Sequence, residues 1–495
     1  MPGRCVVRSA VLRGVESVPI DVEVAVTGGV VGFNVVGMVD AAVQEARERV
    51  RAAIKVAGFS MPYERVLVNL APSSLRKTGS GFDLAIAMGV LAATGQIDRE
   101  LVRDVLVIGE LSLDGGVRPV KGLLAHALCA RDLGLALVCS EEAEGLVPVE
   151  SLRMRGLRCI GDLREPSFVP VSMHFSADED AEPDFSEVSG NEMAKRALQI
   201  AAAGSHGLLM TGPPGSGKTM LASRVPSILP PLSQDEMLEV ALVHSVAGES
   251  IGQALAGRRP FRAPHHSATA AGLIGGGSPV RPGEVCLAHH GVLFLDELPE
   301  FRSSVLQQIR QPLEDGRVRI SRAEGTVAFP SRFMLIGAAN PCPCGYFGDP
   351  EKECTCTAKQ VRDYQNRIGG PLLDRIDLHI DVRRVPPSDV LAVQGGTSSH
   401  DLLEGVMAGR EYASWRKERD GAVSGAGKVI ESCYLSAEDE SFFEQVARAN
   451  HMSGRGIVRT ASVARTIADM AQSKVVTRAH LCEALGFRLR EGIGG

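Results

Sequence analysis

Aromatic residues make up only 4% of the 495-residue chain, so the sequence offers no broad platform for stacked bases. It contains no run of 18 or more uncharged apolar residues, which leaves no obvious membrane span. Its first residues, MPGRCVVRSAVLRGVE, place charges inside the apolar part and lack a signal-peptide core. The expectation is a cytoplasmic protein with reduced thiols, where disulfides are disfavoured. Positive charge is not in excess either. A net charge of −6 argues against a uniformly basic coat for nucleic acid. It leaves room for a local basic channel, because only the charges lining a groove act there. Internal repeats and long low-complexity tracts are also missing. What remains is an ordinary globular composition, 44% hydrophobic and 23% charged. The length suggests roughly two to four domains.

Residues 1–168 read as one mixed α+β unit. VPIDVEVAV alternates like a strand, and DAAVQEARERVRAAIKVAG has helical spacing with Asp40 as N-cap and Gly58 as stop. RVLVNLA reads as a strand, DLAIAMGVLAATG as a buried helix and DVLVIGELSLDGGVRPV as a hairpin turning at DGG. Residues 169–187, containing SADEDAEPDFSE, read as an acidic, solvated linker. From 188 to 385 the apolar runs HGLLMTG, GVLFLDE, RFMLIGAAN and IDLHIDV alternate with helical patterns. That alternation predicts an α/β domain with a mainly parallel sheet. After VPPSD the strands stop. Residues 386–495 read as a helical domain, with QGGTSSH and GAVSGAGK as flexible connections and VARTIADMAQ as its most regular helix.

GPPGSGKT matches G-x-x-x-x-G-K-[ST] without a gap, after a strand pattern and before a helix pattern. Gly212, Pro213, Pro214, Gly215, Ser216 and Gly217 would turn backbone N–H groups toward phosphates. Lys218 would reach the β and γ phosphates of ATP, and the Thr219 hydroxyl would ligate Mg²⁺. In GVLFLDE, Asp296 is placed to hold the metal and Glu297 to polarise an attacking water. Asn340, ending RFMLIGAAN, could bond that water or the γ-phosphate, although an isolated Asn at a strand end is usually a turn former. Arg375 lies between two acids in GPLLDRIDLHI, either as a surface salt bridge or as an arginine finger for a neighbouring subunit. Arg455 begins a helix pattern, and Arg465 further along it is a minor candidate.

In this order the motifs resemble the AAA+ ATPases, and more narrowly the magnesium-chelatase-like branch formed by the bacterial ComM/YifB proteins. The blocks FRAPHHSATAAGLIGGG, PGEVCLAHHGVLFLDELPEF, PLEDGRVRISRA, NPCPCGYFGDP, GPLLDRIDLHI and VARTIADM carry that resemblance. It implies that Asn340 is sensor 1, Arg375 the finger and Arg455 sensor 2, with Val188 to Asn191 near the adenine. It also implies a helical lid and an N-terminal domain of Lon-protease type (the ribosomal protein S5 domain 2-like fold). In that comparison Gly81 stands where the nucleophile belongs and Leu124 where its Lys belongs, with Ser80 and Lys121 nearby but out of register. Without nucleophile and base, covalent peptide hydrolysis has no means. The loop SSLRKTGSG, with Arg76 and Lys77, could meet phosphates or be a structural basic loop.

The implied function is an ATP-dependent motor working as a homo-hexamer on single-stranded, forked or branched DNA, of branch-migration type and possibly serving natural transformation. A metal-chelatase motor subunit and a protein remodeller are the alternatives. EDGRVRISRAEGTVAFPSRF reads as a hairpin whose Arg317, Arg319 and Arg322 could grip a phosphate backbone at a ring's pore or meet acids in a ring interface. His265 and His266 read as structural. Finally, four of the 11 cysteines, Cys342, Cys344, Cys354 and Cys356, form two C-x-C pairs straight after Asn340. Four thiolates could fix that loop by holding one Zn²⁺; free thiols in a compact turn are the other reading.

Overall fold

The computed structural model describes residues 3–174, 183–322, 325–386, 396–420 and 426–488. The N-terminal unit is built on a seven-stranded mixed sheet. Its order is Met154–Leu157, Ala136–Ser140, Val105–Val107, Arg4–Arg13, Glu16–Thr27, Arg65–Ala71 and Gly32–Val36. Period-two alternation in Glu16–Thr27 buries Ile20, Val22 and Val24 on one face. Helix Ala41–Val56 packs on that face through Val43, Ala46, Val50, Ala53 and Ile54, and the Asp40 side chain caps it by accepting from the Val43 N–H. Helix Asp83–Ala93 is buried on every side, which explains its unbroken apolar sequence. The buried Asp83 carboxylate is held by Arg49 through Nε at 2.6 Å and Nη2 at 3.1 Å. The hairpin at DGG is shorter than the sequence suggests: Glu110–Leu111 pairs with Val117–Arg118, while Val105–Val107 belongs to the large sheet.

The second unit carries a five-stranded sheet in the order Phe261–Arg262, Val292–Leu295, Met334–Ala339, Leu208–Thr211 and Leu378–Asp381. Every pairing in it is parallel. Its inner strands are buried along their length, as a sheet covered on both faces requires. The C-terminal helices Ser399–Asp420, Ala437–Ala449, Gly454–Met470 and Arg478–Gly486 share one hydrophobic core with this sheet. The 22-residue helix Ser399–Asp420 carries no strong apolar periodicity, and sequence patterning alone passes over it. It is anchored instead by a buried bidentate pair, Arg416 to Asp469, with both contacts at 2.9 Å. Among the described residues no helix is long and apolar enough to cross a membrane.

The acidic linker expected at 169–187 needs correction at both ends. Ser172–His174 is a strand paired with Glu142–Glu144, and Phe185 is fully buried in the core shared by sheet and lid. The Phe185 N–H donates to Ser399 Oγ, and Asp184 caps the turn that follows. One aromatic side chain with a helix to pack against outweighs the acidic composition around it, since burying it contributes ~1.5–3 kcal/mol. Residues 175–182 of that stretch lie outside the described residues, as do the start of QGGTSSH and the first half of GAVSGAGK.

The two units meet along helix Gln234–Ala247, which packs against helix Leu123–Asp132; Leu123, Leu124, Ala241 and Ile251 lie in one buried cluster. The Gly122 N–H donates to the Ser245 carbonyl at 2.8 Å, and Ser245 Oγ donates to the Gly145 carbonyl at 3.0 Å. A second contact joins the turn after Arg13 to the hairpin Arg317–Arg322/Gly325–Pro330. A Cβ on Gly14 would lie 2.8 Å from the Ala328 carbonyl oxygen, so only glycine fits there.

Candidate functional site

The site forms at the carboxyl edge of the parallel sheet, where loops from neighbouring strands converge. The turn after Leu208–Thr211 needs Gly215 and Gly217 in the left-handed region, at φ 77° and 88°. Gly212 is required for another reason: a Cβ there would sit 2.2 Å from the Val382 carbonyl oxygen. Helix Lys218–Ser223 starts at once, with its N-terminal N–H groups facing the turn. Lys218 is buried; its Nζ donates to the carbonyls of Gly212 at 2.8 Å and Pro213 at 2.9 Å, and to Asn340 Oδ1 at 3.3 Å. Burial lowers its pKa, and the nearby Asp296 and Glu297 carboxylates oppose that shift.

Asp296 and Glu297 follow strand Val292–Leu295. Thr219 Oγ1 donates to Asp296 Oδ2 at 2.7 Å, so the two residues expected to hold Mg²⁺ touch. Glu297 adopts φ 50°, an unusual backbone for a non-glycine residue, which costs on the order of 1–3 kcal/mol. Its N–H donates to Asp296 Oδ1 at 2.8 Å, and its carboxylate lies 3.2 Å from His266 Nδ1. His266, read from sequence as structural, therefore orients the Glu297 carboxylate. The strand that precedes it, Phe261–Arg262, is only two residues long and gave no signal of its own, although it neighbours the Val292–Leu295 strand in the sheet.

Lys218, Thr219, Asp296, Glu297 and Asn340 are thus brought together, and Arg375 is not. It precedes strand Leu378–Asp381 at the opposite end of the sheet from the Gly212–Thr219 turn. There its Nη2 meets Glu314 Oε1 at 2.6 Å, Nη1 donates to the Pro371 carbonyl at 2.6 Å, and Nε is buried without a partner among the described residues. Arg455 is exposed in the first turn of Gly454–Met470, behind the Ser453 cap. Arg465 is buried instead, donating to the Ser432 and Lys474 carbonyls and pairing with Asp469 at 3.1 Å, so it holds the C-terminal helices together. Val188, expected near an adenine, is packed in the hydrophobic core, and Gly190 and Asn191 beside it turn through the left-handed region.

The same lid helix carries a joint that the sequence did not signal. Arg459 donates to Asp377 and to the Arg375 carbonyl, His206 lies 3.4 Å from Asp377, and His206 Nε2 meets Thr466 Oγ1 at 2.8 Å. Burial would raise the Asp377 pKa, but His206 and Arg459 overcome it and hold the carboxyl at about 2. Its stabilisation is present above the ordinary carboxylate range and fades only as pH falls toward 2.

The four cysteines converge as expected. Cys342 Sγ lies 3.3 Å from Cys344 and 3.6 Å from Cys354, Cys344 lies 3.5 Å from Cys354, and all four sulfurs fall within 4.8 Å of one another. A tetrahedron with Zn–S ~2.3 Å has sulfurs ~3.8 Å apart, so the donor set fits that ion. The backbone N–H groups of Tyr346 and Thr355 pull the Cys344 thiol down, while the neighbouring sulfurs push Cys354 and Cys356 up. The loop also sits against the phosphate turn. A Cβ on Gly345 would come within 2.6 Å of Pro214 Cδ, and Arg384 packs over the Tyr346 ring while donating to the Pro214 carbonyl. A second group, Glu239 with His289 and His290, does not fit a metal. The Arg332 N–H donates to His289 Nδ1 at 3.0 Å, so His289 carries its proton on Nε2 and donates it to Glu239 at 2.8 Å.

The N-terminal loop differs from its basic reading. Lys77 is fully buried and donates to the Pro72 carbonyl, so it cannot reach a phosphate. Ser80 donates to Glu110, Lys121 donates to the Ala247 carbonyl at 3.2 Å, and Leu124 is fully buried.

Comparison with known proteins agrees along the whole chain. Residues 184–390 match the family described as magnesium chelatase, subunit ChlI; residues 22–142 match subunit ChlI of Mg-chelatase; residues 396–488 match its C-terminal part. YifB of Escherichia coli is 38% identical over 494 residues, covering 98% of this chain and 96% of its own. The competence protein ComM of Haemophilus influenzae is 38% identical over 497 residues, covering 98% and 97%. A magnesium-chelatase 67 kDa subunit of Chlorobaculum tepidum is 27% identical over 161 residues, 32% of this chain and 23% of its own. With near-complete coverage at that identity, the chain belongs to the ComM/YifB family, which shares the magnesium-chelatase plan.

Proposed function

We propose that the protein is an ATP-driven DNA motor of branch-migration type, acting in the cytoplasm as a homo-hexameric ring on forked or branched recombination intermediates. The observation that carries the reading is the convergence of Lys218, Asn340 and the Thr219–Asp296 pair at one edge of the parallel sheet. A relative named for competence supports the choice of DNA as the substrate. In this reading Lys218 and the N–H groups of the turn bind the ATP phosphates, and Asn340 and Glu297 orient and polarise the attacking water. Thr219 and Asp296 are the residues that would hold Mg²⁺, which would supply positive charge against the negative charge of the phosphates. Arg455 acts as sensor 2 from the lid, 386–495, on the core, 188–385. The four cysteines would hold a structural Zn²⁺ that keeps their loop against Pro214. The Lon-like N-terminal unit, 1–168, is proteolytically inert, since Gly81 and Leu124 stand where the nucleophile and its Lys belong.

ATP turnover with and without forked or four-way DNA tests this directly. Several-fold stimulation by branched DNA is expected. Stimulation by unfolded polypeptide but by no DNA would overturn it in favour of a protein remodeller.

Arg375 supplies a second test. Facing away from its own chain's phosphate turn, it would serve a neighbour as a finger, a role worth ~10³–10⁵ in turnover. Arg375→Ala is expected to retain ATP affinity and lose turnover by about that factor. Mixing it with Glu297→Gln subunits should restore part of the activity at hybrid interfaces. Full ATPase activity in a monomer, in the presence of ATP and DNA, would rule the ring out.

A further inference from the structure

We propose that the cavity between the N-terminal unit and the ATPase core seats the phosphate backbone of a single DNA strand. This rests on the DNA-motor reading and names a place where the strand is held. The cavity measures ≈ 920 Å³. The N-terminal unit contributes Arg13, Arg76 and Lys121 to its wall, and the core contributes Arg281 and Arg322. Among the described residues of the wall, one carboxylate, Glu110, stands against these five cations, and the Ser80 hydroxyl donates to it without cancelling its charge. Arg13 donates to the Thr326 carbonyl and Lys121 to the Ala247 carbonyl. A carbonyl orients a cation without cancelling its charge. In a chain whose net charge is −6, this is a local concentration of positive charge, and it attracts a polyanion.

The shape selects among polyanions. A volume of ≈ 920 Å³ accommodates a short single-stranded stretch, on the order of three nucleotides. Gly79 and Gly81 lower one wall: a Cβ on Gly79 would meet nothing within 4 Å, and one on Gly81 only Val120. Backbone can therefore approach a phosphate closely there. The aromatic ring nearest the loop, Phe82, is buried, so the wall offers no base-stacking platform and binding should not depend on sequence.

The hairpin arginines divide accordingly. Strand alternation in Arg317–Arg322 buries Val318 and Ile320 and exposes Arg317 and Arg319 on the other face. Arg322 falls in step with Val318 and Ile320, on the side of the cavity, so the three do not form one row. A strand held by Arg322 and Arg281 on the core and by Arg13 and Lys121 on the other unit would bridge both.

The test uses the full-length protein and a fluorescent oligodeoxythymidine of about 20 nucleotides, read by anisotropy across a salt series. The double variant Arg281→Glu/Arg322→Glu is expected to bind at least about tenfold more weakly, with a salt slope shallower by ~0.7 for each phosphate no longer neutralised. ATP affinity should be unchanged, which reports an intact fold; Arg281→Ala/Arg322→Ala decides the matter if the charge reversal misfolds. Unchanged affinity and slope in a folded variant overturn the cavity as the binding site while leaving the DNA-motor reading intact. Displacement of the oligonucleotide by thymidine monophosphate at matched phosphate concentration overturns it in favour of a small-anion pocket. A wild-type protein that binds no oligonucleotide overturns both readings together.

Discussion

Lys218→Ala is expected to abolish tight ATP binding, whereas Glu297→Gln should bind ATP and hydrolyse it at least ~100-fold more slowly, the scale of a missing general base. The two differ because the site divides the work. Lys218 lies inside the turn, bonded to the carbonyls of Gly212 and Pro213, where an ammonium group meets phosphate oxygens. Alanine there removes the charge and leaves those carbonyls without their donor, a cost of ~1–3 kcal/mol for each unsatisfied buried group. Glu297 lies outside the turn and touches no group of it directly; its partners are Asp296 and His266. Glutamine keeps the size of the side chain and the strained backbone but cannot accept a proton. Nucleotide titration by fluorescence, paired with phosphate release, separates the outcomes. Normal turnover by Glu297→Gln would show that another group polarises the water.

The second large effect is expected at the cysteines. Protein purified without chelator should carry about one zinc per chain, and any of Cys342→Ser, Cys344→Ser, Cys354→Ser or Cys356→Ser should lose it. Three ligands cannot close the tetrahedron of a structural site, and binding free energy there is also folding free energy, on the order of 10 kcal/mol in small zinc domains. The damage should spread beyond the loop because Gly345 packs on Pro214 and Arg384 ties Tyr346 to the Pro214 carbonyl. Weaker ATP binding should therefore accompany metal loss, although no cysteine faces a phosphate. Metal analysis together with nucleotide affinity measures both. Zinc-free wild-type protein with full ATP affinity would leave the cluster as four packed thiols.

Much of the site was written in local pattern. The phosphate turn is a contiguous motif whose glycines have local causes, the φ of Gly215 and Gly217 among them. The apolar strands could be recognised because a sheet covered on both faces buries every residue. Asp40 as a cap and the convergence of the four cysteines were similarly accessible, since each depends on spacing over a few residues. Membership in the ComM/YifB family followed from such blocks, and full-length similarity bears it out.

What pattern could not supply depends on residues far apart in the chain. His266 reaches Glu297 only because a two-residue strand neighbours Val292–Leu295, and two residues carry no periodicity. The sequence left Lys77 between a phosphate contact and a structural role, and the fold decides for the second by burying its ammonium group against Pro72. Arg465 looked like a solvated or sensing arginine and is a buried clamp among the C-terminal helices, while Arg459, which drew no notice, ties those helices to Asp377. Phe185 lay in a stretch whose composition said linker, and a helix more than 200 residues away buries it. Charge, unlike apolarity, has no period that tells inside from outside. The sequence by itself therefore determined the glycine-rich turn, the strands that support it and the family. Only the tertiary structure decided which charged side chains are partners, which are clamps and which line a shared cavity, because those roles are set by what packs around each charge.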